Sequence, residues 1–282
     1  MTPLVAILAP GAMGSAVARR LHDNGLRVIT SLDGRSPKSA SRAKAAGMID
    51  VAESDLARAD ILLSIVPPGS AVALAEELAA EFAGAAHKPI YVDCNAINPQ
   101  TAARVAQIAR DAGMNYVDAG IIGGPPRRGY DGPVFYLSGE CAGRILPLRD
   151  FGIDCRVLNG GPFAASALKM SYAGITKGLT ALASMMITGA ANDGVAGELR
   201  AELAHSQPML LAWFERQVPS MFPKAYRWVA EMEEIAAFVK DQPDAETLFR
   251  AVAGYYAHIA DPLGKADVEI LSGFFEPAKL AQ

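Results

Sequence analysis

The chain has few cysteines and histidines, and neither residue type has the spacing of a metal site. Its three cysteines, Cys94, Cys141 and Cys155, lie far apart without a Cys-x-x-Cys pair, and its four histidines are scattered. Such a set indicates neither a disulfide framework nor a zinc site and is typical of a reducing compartment. We therefore expect a cytoplasmic protein without a bound metal.

The sequence also lacks a charge excess and a long apolar run. Its 26 basic and 30 acidic residues give a net charge of −4, so no attraction to nucleic acid or to an anionic membrane is indicated. No basic segment precedes the first apolar run, and the most apolar long stretch, 175–191, contains Lys177 and several hydroxyl residues. The sequence therefore predicts neither a signal peptide nor a membrane span.

Short apolar runs alternate with alanine-rich amphipathic stretches through the first 160 residues. The apolar runs are Leu4–Leu8, Arg27–Ser31, Ile61–Val66, Ile90–Val92 and Tyr116–Ile122, and helical patterns lie between them at about 15–24, 36–46, 71–82 and 99–111. This alternation is typical of a parallel sheet covered by helices on both faces. Two further runs, Val134–Leu137 and Cys155–Leu158, are candidates to extend the sheet.

The pattern changes at Gly160-Gly161-Pro162, and no strand is predicted after it. A helical pattern runs from Pro162, which suits the first position of a helix, to about Ala191. Shorter helical patterns follow at about 197–205, 208–218, 224–240 and 245–260. We predict a doubly wound α/β domain over residues 1–160. An all-α domain for substrate and dimer contacts follows over 161–282, starting with a long interdomain helix.

Two faces are predicted for the helical pattern at 224–240. Trp228, Met232, Ile235 and Val239 repeat at helical spacing and predict a packed face. The nearby acidic residues Glu231, Glu233 and Glu234 are expected on a solvated face.

A glycine-containing turn joins the first strand to the first helix. The run Ala9-Pro10-Gly11-Ala12-Met13-Gly14 matches the dinucleotide-binding pattern GxGxxG, with alanine at the first glycine position. Gly11 lets the backbone approach a pyrophosphate, and Gly14 permits close packing of helix and sheet. Gly11, Ala12, Met13 and Gly14 therefore predict a Rossmann-type nucleotide site, with an ordinary φ at Ala9. An ordinary strand-to-helix turn is the alternative.

The end of the second strand bears on the choice between NADP and NAD. Leu32 stands where an acidic residue commonly accepts from the ribose hydroxyls of NAD, and Asp33 is next to it. Arg35 and Ser36 follow, and a guanidinium with a hydroxyl suits the 2′-phosphate of NADP. We predict NADP bound by Arg35 and Ser36. The alternatives are NAD held by Asp33, and a solvated basic helix start.

Four further motifs follow the glycine turn. They are Ile65-Val66-Pro67-Pro68, Val92-Asp93-Cys94-Asn95, Asp118-Ala119-Gly120-Ile121-Ile122-Gly123-Gly124 and Lys169-Met170-Ser171-Tyr172-Ala173. Their order and spacing resemble the 6-phosphogluconate dehydrogenase and β-hydroxyacid dehydrogenase superfamily, which is related to 3-hydroxyisobutyrate dehydrogenase. The agreement covers roughly residues 4–178, whereas the last third agrees only as a helical region.

This resemblance implies an NAD(P)-dependent oxidoreductase acting on CH–OH, with Lys169 as the general acid/base. When hydride leaves a carbinol carbon, a base must take the hydroxyl proton, and on reduction the same group returns it. Lys169 lies in a nearly uncharged helical stretch, which argues against a merely solvated lysine. The other implied residues are Asn95 and Tyr172 in catalysis, Val66, Pro67 and Pro68 at the cofactor, and Ile122, Gly123 and Gly124 at the substrate. For Tyr172, a packing role is the alternative.

Two departures from the family pattern affect the expected substrate. Ile122 replaces the substrate-binding serine, and Ala173 replaces the asparagine four residues after the lysine. A substrate carboxylate then needs other donors, for which Arg127 and Arg128 are candidates if their loop lies near the carboxyl edge of the sheet. We therefore expect neither 6-phosphogluconate nor plain 3-hydroxyisobutyrate as the substrate.

Three functions stay open at this point. The first is NADP-dependent hydride transfer between the nicotinamide and a β-hydroxy acid or related alcohol or carbonyl compound. The second is imine reduction on the same scaffold, where relatives usually carry Asp or Tyr in place of the lysine, so Lys169 argues against it and Tyr172 for it. The third is a non-catalytic NADP-binding redox sensor. The resemblance also implies a homodimer packed through the helical domains.

Overall fold

The computed structural model describes residues 2–130 and 132–276. These residues belong to two compact units, of which the first ends at Met170 and the second starts at Ser171. The first unit is an α/β sheet structure and the second is helical. The division between them falls ten residues after the boundary predicted at 160/161.

The first unit contains one eight-stranded sheet. Its strands are β1 (Val5–Leu8), β2 (Val28–Thr30), β3 (Ile49–Asp50), β4 (Ile61–Ser64), β5 (Ile90–Asp93), β6 (Tyr116–Ile122), β7 (Val134–Ser138) and β8 (Asp154–Val157). The strand order is β3-β2-β1-β4-β5-β6-β7-β8, and neighbouring strands are parallel except β6 and β7. The strand order changes direction between β1 and β4, and such sheets bind ligands beyond the carboxyl ends of their strands at this point.

Helices cover both faces of the sheet. They are α1 (Ala12–Asp23), α2 (Pro37–Ala45), α3 (Ala71–Glu81) and α4 (Pro99–Asp111). Alternate residues of β1 belong to two separate cores: Val5 and Ile7 pack with α1 and α2, whereas Ala6 and Leu8 pack with α3 and α4. The predicted doubly wound fold class is therefore confirmed.

The described part of the second unit is helical throughout. The long helix α5 (Ala164–Asn192) begins in the first unit and ends in the second. It is followed by α6 (Ala196–Ser206), α7 (Pro208–Met221), α8 (Ala225–Phe238), α9 (Pro243–Ala260) and α10 (Lys265–Phe275). Met232 and Ile235 of α8 are fully buried, as the helical spacing predicts. No helix in the described ranges is both long enough and apolar enough to cross a bilayer.

Some local predictions were wrong. Helix α5 begins at Ala164 and not at Pro162, because side chains of the first unit bind the N–H groups of Ala165 and Ser166. Glu231 does not lie on a solvated face but forms an ion pair with Lys177 of α5. The sequence pattern also predicts neither β3, whose two residues are exposed, nor α10.

Candidate active site

The turn between β1 and α1 leaves room for close approach of a ligand. Gly11 is the N-cap of α1 and makes no side-chain hydrogen bond to the first helical turn, which leaves N–H groups there for a ligand or water. A Cβ added at Gly14 would lie 2.7 Å from the carbonyl oxygen of Ala9, so a side chain there would force the turn to shift. The turn therefore fits the pyrophosphate of a dinucleotide.

The expectation of an ordinary φ at Ala9 was wrong. Ala9 has a φ of 60°, in the left-handed region that glycine adopts without strain. Its carbonyl oxygen accepts a hydrogen bond from the N–H of Gly11 at 2.7 Å, which holds the tight turn. The backbone keeps the conformation that the usual glycine would have, and alanine accepts a strain of about 1–2 kcal/mol.

Arg35 and Ser36 lie in the exposed turn between β2 and α2. Ser36 is the N-cap of α2, and its hydroxyl oxygen accepts from the N–H of Ser39 at 3.3 Å. Arg42 of α2 donates from Nε to the carbonyl oxygen of Pro10 at 2.9 Å, which ties α2 to the glycine turn. Asp33 is exposed in the same turn. The groups expected for a 2′-phosphate and the acid expected for an unphosphorylated ribose thus lie within one short segment.

Asn95 holds the loop that follows β4. Its Oδ1 accepts from the N–H of Val66 at 2.7 Å, and its Nδ2 donates to the Ser64 hydroxyl at 3.0 Å. The side chain is buried, with the residue only 3% exposed. In this structure Asn95 therefore fixes the start of the Val66–Pro68 loop, in which Pro67 is exposed at the carboxyl edge of the sheet.

Two buried carboxyl groups lie side by side below this edge, and the sequence motifs assign neither a role. Asp93 of β5 and Asp118 of β6 are register partners, each 1% exposed. Burial raises the pKa of Asp93 to about 7. Burial also raises the pKa of Asp118, although hydrogen bonds from Ser166 and Ser138 oppose the change. An aspartate near the end of each of two consecutive apolar strands is the signal that could have singled them out.

Lys169 reaches the carboxyl end of β6 from helix α5. Its Nζ donates to the carbonyl oxygen of Ile121 at 2.8 Å, and the side chain is partly buried. Ile122, Gly123 and Gly124 follow directly, and Gly123 has a φ of 122°. The structure therefore brings the predicted acid/base next to the predicted substrate segment.

Tyr172 lies three residues after Lys169 on α5. The residue is 49% exposed, so the packing role is not favoured within the single chain. The structure shows its backbone carbonyl accepting from Thr176 at 2.8 Å.

Arg127 and Arg128 lie in a loop that packs along helix α1. Arg20 of α1 donates to the carbonyl oxygen of Tyr130 at 2.9 Å, and the Arg127 guanidinium lies 5.7 Å from the Tyr130 ring centroid. Both loop arginines line a cavity of about 460 Å³ together with Arg19 and Arg20. Their loop therefore lies along the side of α1.

The described residues contain no group of three or more His, Cys, Asp or Glu side chains that could hold a metal ion. Two of the three cysteines, Cys94 and Cys155, are buried, and all three are free thiols.

Comparison with protein families identifies the nucleotide-binding part of the chain. Residues 5–141 match the NAD binding domain of 6-phosphogluconate dehydrogenase, which confirms the resemblance seen in the motifs. Residues 190–259 match a domain of unknown function, DUF1932. An uncharacterized 28.5 kDa protein of Methanothermus fervidus is 27% identical over 254 residues, which are 89% of this chain and 96% of that protein.

Solved structures share the fold over nearly the whole chain. A conserved protein of unknown function, described as structurally similar to 3-hydroxyacid dehydrogenases, is 26% identical with a TM-score of 0.67, covering 98% of both chains. Mycobacterium tuberculosis 3-hydroxyisobutyrate dehydrogenase with L-serine is 19% identical with a TM-score of 0.64, covering 99% of this chain and 100% of that one. An imine reductase from Myxococcus stipitatus with NADP⁺ is 17% identical with a TM-score of 0.56, covering 96% and 99%. At such low identities, the last two similarities concern the fold alone.

Proposed function

Because residues 5–141 carry the NAD binding domain of the 6-phosphogluconate dehydrogenase type, we propose that this chain is an NADP(H)-dependent oxidoreductase of the β-hydroxyacid dehydrogenase type. Its reaction is hydride transfer between the nicotinamide and a β-hydroxy acid or a related alcohol or carbonyl compound. The observation that carries the proposal is the position of the Lys169 amine, 2.8 Å from the Ile121 carbonyl oxygen and beside the substrate segment.

Residues of the first unit fit an NADP molecule. The N–H groups at the start of α1 bind the pyrophosphate, and Gly14 leaves space for the turn that presents them. Arg35 and Ser36 would bind the 2′-phosphate, and Asn95 keeps the Val66–Pro68 loop in place. When bound, the nicotinamide accepts or supplies the hydride.

Lys169 moves the proton in this mechanism. During oxidation its neutral amine takes the proton of the substrate hydroxyl as the C–H hydride leaves, and during reduction its ammonium returns that proton to the carbonyl oxygen. The Ile121 carbonyl accepts one N–H of the amine and so directs the side chain along the end of β6. Tyr172, one helical turn further, is the candidate to orient the substrate.

The substrate is a β-hydroxy acid with an apolar group next to the reacting carbon. Ile122 offers an aliphatic surface where the resembling family has a serine hydroxyl. A polar substrate group at this place would lose its hydrogen bonds to water without gaining a partner. We therefore expect larger apolar substituents to be preferred over hydroxylated ones.

Replacement of Lys169 tests the mechanism. We expect Lys169→Met to lower kcat by about 10²-fold to 10⁴-fold, the usual contribution of a general acid/base, while the Kd for NADPH changes little. The measurements are NADPH fluorescence titration and NADPH oxidation with a panel of β-keto acids and semialdehydes of substituted malonic acids.

Lys88→Met is the matched control for that experiment. Lys88 is also half-buried and also donates to a backbone carbonyl, that of Ala112 at 2.5 Å, but it lies before β5 at the amino edge of the sheet. Normal turnover by Lys169→Met would contradict the mechanism. Tight NADPH binding by the unmodified chain, with no turnover across the panel, would instead favour the redox sensor.

Replacement of Arg35 tests the choice of cofactor. A charge-assisted hydrogen bond contributes about 1.5–3 kcal/mol, so we expect Arg35→Ala to raise the Kd for NADPH by about tenfold to a hundredfold. The Kd for NADH should change little, and Lys44→Ala at the far end of α2 is the control. If Arg35→Ala changed the Kd values for NADPH and NADH equally, or if the unmodified chain bound NADH more tightly, the NADP assignment would be contradicted. The segment would then bind NAD through Asp33.

Imine reduction is the second candidate function. The exposed Tyr172 on the same helix as Lys169 favours it, because relatives with this activity usually place a tyrosine or an aspartate at the proton-donating position. Reduction of cyclic imines that survives Lys169→Met but not Tyr172→Phe would support imine reduction as the function.

The cytoplasmic location of the protein remains a prediction from the sequence.

A further inference from the structure

Strand β6 binds the first turn of helix α5 through a buried carboxylate. Asp118 accepts from the N–H of Ser166 at 2.9 Å and from the Ser166 hydroxyl at 2.5 Å. Its Oδ2 also lies 2.8 Å from the hydroxyl of Ser138, which in turn accepts from the N–H of Ala165 at 3.0 Å. The first N–H groups of a helix have no partner within it, so two of them are held here by the sheet.

The charge of this group suits its place. A carboxylate at a helix N-terminus interacts favourably with the helix dipole. Asp118 is 1% exposed and Ser166 is 2% exposed, so solvent screens this interaction little. The start of α5 is therefore fixed on β6 by charge-assisted hydrogen bonds, which are stronger than those between neutral groups.

Gly120 follows Asp118 by two residues on β6 and lets the backbones of β6 and α5 approach each other closely. A Cβ added there would lie 2.7 Å from the carbonyl oxygen of Ala165 and 3.2 Å from the Cβ of Lys169. Any side chain at this position would push α5 away from the strand. The motif of the resembling family has proline at this position, and the present chain has glycine.

The same strand then holds the Lys169 amine. Ser166, bound to Asp118, precedes Lys169 by three residues, and Ile121, whose carbonyl accepts from Nζ, follows Asp118 by three residues. Strand and helix thus meet at three successive levels: a carboxylate, a glycine and a carbonyl. The contact of Asp118 with Ser166 fixes the position of α5 along β6 and its rotation about its own axis. These two quantities determine where the long, flexible side chain of Lys169 can place its amine.

We propose that Asp118 is the positioning residue for Lys169, acting through Ser166 to fix the amine at the end of β6. This proposal rests on the role of Lys169 given under Proposed function. Small displacements of a reacting group lower rates strongly. Loss of the contact is therefore expected to lower kcat without a matching effect on NADPH affinity.

Two variants test the contact, and one serves as the control. Asp118→Asn keeps the size but removes the charge and one acceptor, and Ser166→Ala removes only the donating hydroxyl. Asn98→Ala is the control, because Asn98 is likewise buried and caps another helix, accepting from the N–H groups of Gln100 and Thr101. If Asp118→Asn fails to fold, Ser166→Ala still tests the contact, because it removes only the hydroxyl that donates to Asp118.

The first readout needs no substrate. Competitive labelling of the full chain with acetic anhydride, followed by mass spectrometry, gives the reactivity of Lys169 relative to Lys88. We expect Asp118→Asn and Ser166→Ala to change this ratio by about threefold or more, with its pH profile shifted, and Asn98→Ala to leave it unchanged. An equal change in Asn98→Ala at comparable loss of stability would overturn the proposal, because a merely structural role predicts that result.

The second readout is the rate with the first panel compound that the enzyme turns over. We expect kcat to fall on the order of tenfold in Ser166→Ala, with the NADPH Kd within about twofold, and no further loss when either variant is added to Lys169→Met. Normal kcat in both single variants, with Lys169→Met inactive, would overturn the positioning role alone. Normal turnover by Lys169→Met would overturn the proposed function, and the labelling result would still report whether Asp118 places the amine.

Discussion

At the end of β5, Asp93 is enclosed together with the Asp118 carboxyl group of the neighbouring strand. Burial disfavours the charged form, and the second carboxylate adds repulsion, so the pKa of Asp93 rises from 3.8 to about 7. Between these values the folded chain holds a proton that the unfolded chain releases. The contribution of Asp93 to stability is therefore fully present below the lower value and is lost as the pH rises through the upper one.

A pH series measures this contribution. We expect the urea midpoint of the chain to fall as the pH rises from about 4 to about 7, and Asp93→Asn to remove much of that fall. Asp111→Asn, at an exposed position at the end of α4, should keep the slope of the unmodified chain. The interpretation is contradicted if the urea midpoint of Asp93→Asn falls with pH as steeply as that of the unmodified chain over this range.

Between elements, a largely buried ion pair joins α5 to α8. The Nζ of Lys177 donates to Oε2 of Glu231 and lies 4.9 Å from the ring centroid of Trp228. The two charged side chains are only 14% and 16% exposed. Burial lowers the pKa of Lys177, and the Glu231 carboxylate opposes this change. Tyr256 of α9 donates to the backbone carbonyl of Lys177 at 2.6 Å, so three helices meet at this residue.

Removal of one partner should destabilise the helical unit strongly. We expect Lys177→Met to cost about 3–5 kcal/mol, because it removes the Lys177 cation from the largely buried Glu231 carboxylate. The double variant Lys177→Met, Glu231→Leu should recover most of that loss. Chemical denaturation measures both, with Lys265→Met in the exposed Lys265–Glu269 pair as the control. A double variant as unstable as the single one would show that packing, and not the loss of the Lys177–Glu231 ion pair, causes the change in stability.

How far the sequence predicts these elements depends on the range of the contacts that define them. The limits of α4, Pro99–Asp111, and of β6, Tyr116–Ile122, follow the sequence pattern, since proline, an asparagine cap and an apolar run mark them locally. The start of α5 depends on Asp118, 48 residues before Ser166. Likewise, the pairing of Glu231 depends on a lysine 54 residues away. A local sequence pattern cannot predict contacts between residues so far apart. The contact of Lys169 with β6 is not predicted for the same reason, since Ile121 lies 48 residues before Lys169.

For the whole molecule, the exposed apolar side chains of α5 bear on assembly. Four of them repeat every three or four residues and share one face of the helix: Ile175, Leu179, Leu182 and Met186. Their exposed fractions run from 40% at Leu179 to 65% at Ile175. A contiguous exposed apolar face of this kind marks an interaction site. We propose that it is the contact face of the predicted homodimer.

Light scattering tests this assignment at micromolar concentration. We expect the unmodified chain to have the mass of two copies, and Leu182→Glu with Met186→Glu to have the mass of one. Leu263→Glu is the matched control, because Leu263 is also apolar and is 82% exposed, but lies between α9 and α10. A monomeric mass for the unmodified chain would contradict the homodimer.

The alternation of side chains in β6 makes the length of this strand more critical than any one of its residues. Val117, Ala119 and Ile121 lie in the core that α1 covers, whereas Asp118 and Gly120 meet the start of α5. Deletion of one residue would exchange the two faces, placing a carboxylate in an apolar core and a bulky side chain against the helix backbone. Single substitutions in β6 therefore weaken one contact at a time. Deletion of one residue from the strand would disrupt the sheet core and the contact with Lys169 together.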